Sequence, residues 1–192
     1  MLKQMRVAKL ILLGTGAVGK TSLRRKYLGE GFSSEYLMTI GADFAYTAIQ
    51  LPSGVLKSQI WDIAGQPRFS VVRKTYYSGC VGGIIVFDRT RPDTLDSAMK
   101  WLEELWKNCG HGPIPVIILG NKSDLLQEEY LPIDNKAESW SKEISEKTLT
   151  SEGFRVSFLK TSAKTGLNVN IAFELIAKEV FNYIQDREPD LD

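Results

Sequence analysis

The chain has 192 residues, of which 24 are Lys or Arg and 23 are Asp or Glu, so its formal net charge is +1. Hydrophobic residues make up 43% and charged residues 24%, which excludes a largely disordered chain, a collagen-like fibre and a coiled-coil rod. The near-zero charge argues against a nucleic-acid binder, because neutralising phosphates takes an excess of clustered Lys and Arg. The length predicts one domain over residues 1–192, with its core at about 7–184 and a short acidic tail at 185–192.

Six segments have the apolar pattern of buried or half-buried strands. They are residues 7–13, 42–51, 55–61, 82–88, 114–120 and 154–160. Only Pro52-Ser53-Gly54 separates the second from the third, which predicts an antiparallel hairpin. The other strands alternate with helical patterns, which favours parallel pairing through crossover helices. The sequence therefore predicts an α/β fold: a six-stranded, mostly parallel sheet with one antiparallel edge strand and helices on both faces.

Helical patterns lie between these strands. Residues 22–28 follow the first strand, and Arg24 to Lys26 within them are expected to form a solvated basic face. Apolar residues recur at helical spacing between 95 and 106, with Asp93 as the expected N-cap. Residues 134–145 predict an exposed helix inside a polar stretch, and a stripe over 169–184 predicts the closing helix.

Cysteine usage and hydropathy bear on where the protein resides. The two cysteines, Cys80 and Cys109, lie in dissimilar settings without a CxxC spacing, which predicts reduced thiols and a cytoplasmic protein. No apolar run approaches the roughly 20 residues that span a bilayer. The last five residues, 188–192, include no Cys that prenylation would need.

The clearest motif joins the first strand to the first helix. It reads Gly14-x-x-x-x-Gly19-Lys20-Thr21, and its strand–helix context is the one that a P-loop requires. The backbone N–H groups of such a loop, with the helix N-terminus, donate to phosphates. Lys20 is expected to reach the β- and γ-phosphates, and Thr21 to bind Mg²⁺. The predicted phosphate-binding residues are Gly14, Thr15, Gly16, Ala17, Val18, Gly19, Lys20, Thr21 and Ser22.

Two further motifs follow strands near the other end of the chain. Asn121-Lys122-Ser123-Asp124 and Ser162-Ala163-Lys164 each come directly after a predicted strand, where open α/β sheets bind ligands. The Asp124 carboxylate can accept from both N1–H and the 2-amino group of guanine, whereas adenine offers neither donor there. These residues predict a guanine site, although Asn-Lys-x-Asp taken alone would also suit an ordinary polar loop.

Taken in order, the motifs resemble those of the Ras-like small GTPases, and among them the Rab family. The Rab-like stretches are Ile40 to Phe44, Trp61 to Phe69, Tyr76 to Gly79 and Ile85 to Asp88. The resemblance covers roughly residues 9–184 and implies hydrolysis of GTP to GDP and phosphate. It also implies GTP, GDP and Mg²⁺ as ligands, and a monomer whose partners are an exchange factor, an activating protein and effectors.

The resemblance gives matching residues a role. Thr39 matches the switch I threonine, which binds Mg²⁺ and senses the γ-phosphate, while Phe32 and Tyr36 match aromatic residues beside the guanine and the phosphates. The N–H of Gly65 should sense the γ-phosphate, and Gln66 should orient the attacking water. The implied catalytic residues are Lys20, Thr39, Gly65 and Gln66, the implied metal ligands are Thr21, Thr39 and Asp62, and Asn121, Lys122, Asp124, Ser162, Ala163 and Lys164 would enclose the base.

Two features bear on turnover. Residues 33–39 contain no Arg, and a missing arginine finger is worth about 10³–10⁵ in rate, so slow intrinsic hydrolysis and dependence on an activating protein are expected. Pro67 stands where Rab proteins usually have Glu, and it biases Gln66 towards an extended backbone. Either Pro67 alters how water is positioned or the loop tolerates it. A nucleotide-locked scaffold with little turnover is therefore the alternative function.

A surface patch and the chain end bear on partners. Phe44, Trp61 and Tyr76 match the aromatic triad through which Rab proteins meet effectors, although packing at the sheet edge would equally explain them. Rab proteins normally end in prenylated cysteines, whereas this sequence ends in acidic residues 188–192. Either it is a shortened form of such a chain or a switch without the usual anchor, so any peripheral membrane association is expected through partners.

Overall fold

The computed structural model describes residues 4–30, 39–66, 70–125 and 131–187. The strands are β1 (Gln4–Leu13), β2 (Ala42–Leu51), β3 (Gly54–Ile63), β4 (Gly82–Asp88), β5 (Val116–Asn121) and β6 (Ser157–Lys160). The helices are α1 (Lys20–Tyr27), α2 (Ser70–Tyr77), α3 (Pro92–Asn108), α4 (Leu131–Ser151) and α5 (Val169–Arg187), with a short 3₁₀ turn at Ser123–Leu125.

All six strands belong to one sheet, in the order β2-β3-β1-β4-β5-β6. Only the β2–β3 pair is antiparallel, because the short turn after Leu51 reverses the chain. The other neighbours are parallel. The predicted fold class is confirmed, including the antiparallel edge strand.

Alternate residues of the central strands face two separate hydrophobic cores. On one face, Leu10 and Leu12 of β1 pack in a core with Phe173 and Val180 of α5. On the other face, Ile11 and Leu13 belong to a core that includes residues of α2, α3 and α4. Residues 10–13 of β1 and all of β4 are buried on both faces, so their apolar runs are continuous, whereas Met5 and Val7 in the first half of β1 are exposed. No helix in the described part of the chain is long and apolar enough to cross a membrane.

Two helices differ from their predictions. The helix predicted at 134–145 extends over Leu131–Ser151 and is not simply exposed. Its polar composition hides a stripe of Ile133, Ala137, Trp140 and Ile144, which packs against the sheet. Helix α2 was not predicted, because eight residues are too few for the hydrophobic period to show.

Two assignments around α1 and α3 were wrong. Arg91, not Asp93, is the N-cap of α3, and Pro92 occupies the first helical position, where its missing N–H removes no helical hydrogen bond. Arg24 does not belong to a solvated face: it is buried, and its Nη2 donates to Asp43 Oδ2 at 2.5 Å. This ion pair ties α1 to the start of β2.

Candidate functional site

The predicted site residues converge at one edge of the sheet. The parallel strands β1, β3, β4, β5 and β6 all end there, and Gly14, Ala64, Arg89, Lys122 and Thr161 directly follow them. Carboxyl ends of parallel strands are where open α/β sheets bind ligands, because the loops that follow them diverge and leave a crevice. The fold therefore assembles motifs that lie up to about 150 residues apart in the chain.

The loop between β1 and α1 forms a phosphate cradle. Gly19 is the N-cap of α1 with a φ of 99°, and it has no side chain to occupy the first N–H groups of the helix. Lys20 is buried, and its Nζ donates to the carbonyls of Gly14 at 2.7 Å and Thr15 at 3.1 Å. Burial lowers the pKa of Lys20 to about 8 although the Asp62 carboxylate opposes this shift. A phosphate group would supply the anion that this buried ammonium lacks.

Three oxygen ligands meet beside the start of α1. The Thr21 hydroxyl donates to Asp62 Oδ2 at 2.5 Å and lies 3.0 Å from the Thr39 hydroxyl. The other oxygen of Asp62, Oδ1, is buried with no hydrogen-bond partner among the described residues. Burial raises the pKa of Asp62 despite the Thr21 hydrogen bond and the charges of Lys20 and Arg24. Hydroxyl and carboxylate oxygens with one unpartnered acceptor fit Mg²⁺, a hard cation that prefers oxygen.

Gly65 and Gln66 lie directly against the phosphate cradle. A Cβ at Gly65 would be 2.2 Å from the carbonyl oxygen of Gly14, so only glycine fits. The Gln66 side chain approaches Gly16, where an added Cβ would lie 3.8 Å from Gln66 Cγ. Gln66 Oε1 is buried and lacks a hydrogen-bond partner within the described ranges. The structure thus places the predicted γ-phosphate sensor and the predicted water-orienting residue against the phosphate cradle.

The two predicted guanine loops are bonded to each other and to the cradle. Asn121 Nδ2 donates to the Val18 carbonyl at 2.8 Å, while its Oδ1 accepts from the N–H of Ala163 at 3.2 Å. Asp124 Oδ1 accepts from the Ser162 hydroxyl at 2.6 Å. Asn121 therefore holds three segments in one arrangement, and Asp124 is oriented by the loop that follows β6.

The remaining predicted residues fall into two groups. Ala17, with a φ of 64°, lies in the cradle, Ser22 is half-buried on α1, and Lys164 is exposed after β6. Phe32, Tyr36 and Pro67 lie outside the described residues, as does the acidic chain end.

Asp88, at the end of β4 and of the Rab-like stretch Ile85 to Asp88, lies among the predicted site residues, although no role was predicted for it. It is the register partner of Asn121, and its buried carboxylate lies 2.7 Å from Lys122 Nζ and 3.1 Å from Arg91 Nε. Burial acts to raise the pKa of Asp88, but hydrogen bonds from Lys122 and Thr90 outweigh it and hold the pKa below its ordinary value. In the sequence, Asp88 is the polar end of an apolar strand and of a Rab-like stretch, and neither feature predicts its partners.

The three predicted effector-patch residues form a continuous aromatic row. Phe44 and Trp61 are register partners on β2 and β3, with ring centroids 4.9 Å apart. Trp61 lies 5.7 Å from the ring of Tyr76 on α2. Phe44 is 45% exposed, so the row packs the sheet edge and also presents an aromatic surface beside the phosphate cradle.

Comparison with known proteins agrees with this arrangement. The Ras family model matches residues 9–182. The chain is 38% identical over 181 residues to the Ras-related protein RABA4a of Arabidopsis thaliana, covering 94% of this chain and 75% of the relative. It is 36% identical to the Ras-related protein Rab-25 of Homo sapiens over 175 residues, covering 91% and 76% of the two chains. With the Ras-related protein Rab11A of Lotus japonicus it shares 36% identity over 181 residues, again 94% and 75%. The chain therefore belongs to the Ras family and is a Rab-like small GTPase.

Proposed function

We propose that the whole chain works as one Rab-like switch that binds GTP and GDP with Mg²⁺, hydrolyses GTP slowly and engages effectors in its GTP state. The observation that carries this proposal is the pair of hydrogen bonds made by the Asn121 amide. These hydrogen bonds, to Val18 and Ala163, join the phosphate cradle to both predicted base loops. A ligand that contacts all three segments would carry phosphates at the cradle and a base at the loops after β5 and β6.

The residues divide the chemical work. Lys20 offsets negative charge on the phosphates, the N–H of Gly65 donates to the γ-phosphate, and Gln66 orients water for in-line attack. Thr21, Thr39 and Asp62 would hold Mg²⁺, which offsets phosphate charge when it is bound. Proton transfer and nucleophilic activation need no further side chain, because catalysis of phosphoryl transfer is mostly positioning and charge stabilisation.

The switching function follows from the same contacts. The Thr39 hydroxyl lies 3.0 Å from that of Thr21, and Gly65 lies against Gly14 to Gly16, so a γ-phosphate in the cradle would hold both and its loss would release them. The aromatic row of Phe44, Trp61 and Tyr76 spans the strands and helix next to these two residues. Effectors would bind this aromatic row in the GTP state. The Rab likeness suggests a role in membrane trafficking. The protein would then attach to membranes peripherally, through its partners.

Nucleotide identity tests the proposal directly. The nucleotide released on denaturing the purified protein is expected to be GDP or GTP, and ADP or ATP would overturn the proposal. Asp124→Asn is expected to weaken GDP binding on the order of a hundredfold, because the base loses charge-assisted acceptors. Asp96→Asn is the matched control, since Asp96 is an exposed carboxylate paired only with Lys136 in the described residues.

Turnover separates the switch from the alternative scaffold. Pro67 directly follows Gln66 and favours the scaffold, because proline restricts the backbone of the residue before it. Single-turnover hydrolysis of bound GTP, followed with and without Gln66→Ala, decides between them. A slow rate that falls further in the variant supports the switch, whereas equal rates in the two proteins support the scaffold.

A further inference from the structure

Arg91 reaches from the start of α3 into the phosphate cradle. Its Nη2 donates to the carbonyl oxygen of Gly16 at 3.0 Å, and its Nε donates to Asp88 Oδ2 at 3.1 Å. Arg91 is the N-cap of α3, yet its side chain makes no capping hydrogen bond to that helix. The guanidinium therefore serves a loop 75 positions away in the chain rather than its own helix.

Asp88 is a rigid and charged anchor for this contact. The carboxylate is buried, and Oδ1 accepts from the backbone N–H of Thr90 at 3.0 Å and from its hydroxyl at 2.7 Å. Oδ2, which Arg91 uses, is also 2.7 Å from Lys122 Nζ. The carboxylate that holds Arg91 thus holds a predicted guanine-binding residue as well.

The carbonyl that Arg91 contacts belongs to the peptide unit between Gly16 and Ala17 in the cradle. A Cβ added at Gly16 would lie 3.8 Å from Gln66 Cγ, so this unit faces the predicted water-orienting residue. Rotation of this peptide unit would turn the Gly16 carbonyl and the Ala17 N–H together, and so change the donors that the cradle offers to a phosphate. A charge-assisted hydrogen bond from a bidentate arginine opposes such rotation better than a point charge does.

We propose that Arg91 is a positioning residue for nucleotide binding: it holds the Gly16 peptide in its phosphate-receiving conformation, anchored on the Asp88 carboxylate that also holds Lys122. This inference rests on the proposed function, because it concerns the same nucleotide site. The guanidinium fork is essential to it, since one nitrogen contacts Asp88 while another contacts Gly16.

Release of a fluorescent GDP from the 192-residue chain tests the proposal. Arg91→Ala is expected to speed release about tenfold, at the low end of what one charge-assisted hydrogen bond contributes. The GDP release rate of Arg91→Lys should fall between those of Arg91→Ala and wild type, because an ammonium can pair with Asp88 without also bonding to Gly16 through a planar fork. Arg187→Ala is the matched control: the Arg187 side chain is 41% exposed against 39% for Arg91, and it pairs with Glu152, which belongs to none of the nucleotide-binding motifs.

The outcomes distinguish failure of the Arg91 inference from failure of the proposed nucleotide-binding function. A wild-type chain that takes up no GDP would overturn the proposed function itself. Wild-type binding with equal release rates from Arg91→Ala and Arg187→Ala would overturn the inference alone. Urea unfolding at saturating GDP detects a purely structural role. A lower free energy of unfolding for Arg91→Ala without faster GDP release would also overturn the inference.

Discussion

At the scale of single residues, close approach of backbones decides the geometry of the site. Gly65 follows β3, and a Cβ added there would lie 2.2–2.8 Å from backbone atoms of Gly14, Thr15 and Gly16 in the cradle. Gly16 itself has more room, because the nearest atom to an added Cβ is Gln66 Cγ at 3.8 Å. Two glycines of the same site thus differ sharply in what they can tolerate.

This difference gives a paired prediction. Gly65→Ala is expected to lower the free energy of unfolding by about 1–3 kcal/mol, because its methyl group would overlap backbone that cannot move aside. Gly16→Ala should leave that free energy nearly unchanged, since its Cβ makes an ordinary contact. Urea unfolding of both variants measures the effect, and equal stabilities would contradict the close packing seen at Gly65.

At the scale of elements, a buried ion pair docks α4 onto the loop after β4. Arg89 Nε donates to Asp134 Oδ1 at 2.8 Å, and Nη2 contacts Oδ2 at 2.5 Å. Both side chains are buried, and Lys160 of β6 lies 3.5 Å from the same carboxylate. Because Arg89 follows Asp88 directly, this pair also fixes the chain beside the nucleotide site.

Removing one partner of this pair should be costly. Asp134→Ala is expected to destabilise the fold by about 3–5 kcal/mol, because it leaves the Arg89 guanidinium buried without its carboxylate. Asp96→Ala removes an exposed carboxylate paired with Lys136 and should change stability little. Chemical unfolding at saturating GDP makes the comparison, and similar losses in the two variants would refute the proposed docking role.

At the scale of the whole molecule, the nucleotide site is assembled from loops that the sheet alone brings together. The Asn121 amide bonds to residues 103 positions before it and 42 after it. A ligand that contacts all these loops binds the folded chain and not the unfolded one, so its binding free energy adds to stability.

Ligand linkage is therefore a prediction for the intact fold. GDP with Mg²⁺, at about a thousandfold excess over its dissociation constant, should add about 4 kcal/mol and raise the melting temperature by roughly 10 °C. ADP at the same molar concentration should leave the melting temperature unchanged, because adenine offers no donor to the Asp124 carboxylate. Thermal unfolding monitored by circular dichroism provides the test, and equal shifts with the two nucleotides would contradict guanine selectivity.

The sequence alone determined the sheet and the motif-bearing loops. Strand runs such as 82–88 are continuous in the chain, and the P-loop and the Asn121 to Asp124 segment carry their chemistry in consecutive residues. Such local patterns follow from backbone geometry and side-chain type, which neighbours in the chain already define. The short helix α2 and the buried face of α4 escaped prediction because their apolar periods are brief or diluted by polar residues.

Only the tertiary structure decided which charged side chains are buried and which groups each of them contacts. Arg24, Arg89 and Arg91 look like ordinary surface charges in the sequence. They contact Asp43, Asp134 and the Gly16 carbonyl, which lie 19, 45 and 75 positions away. A charged side chain does not encode its partner: the packing that brings the two groups together selects it, and that packing exists only in the folded chain.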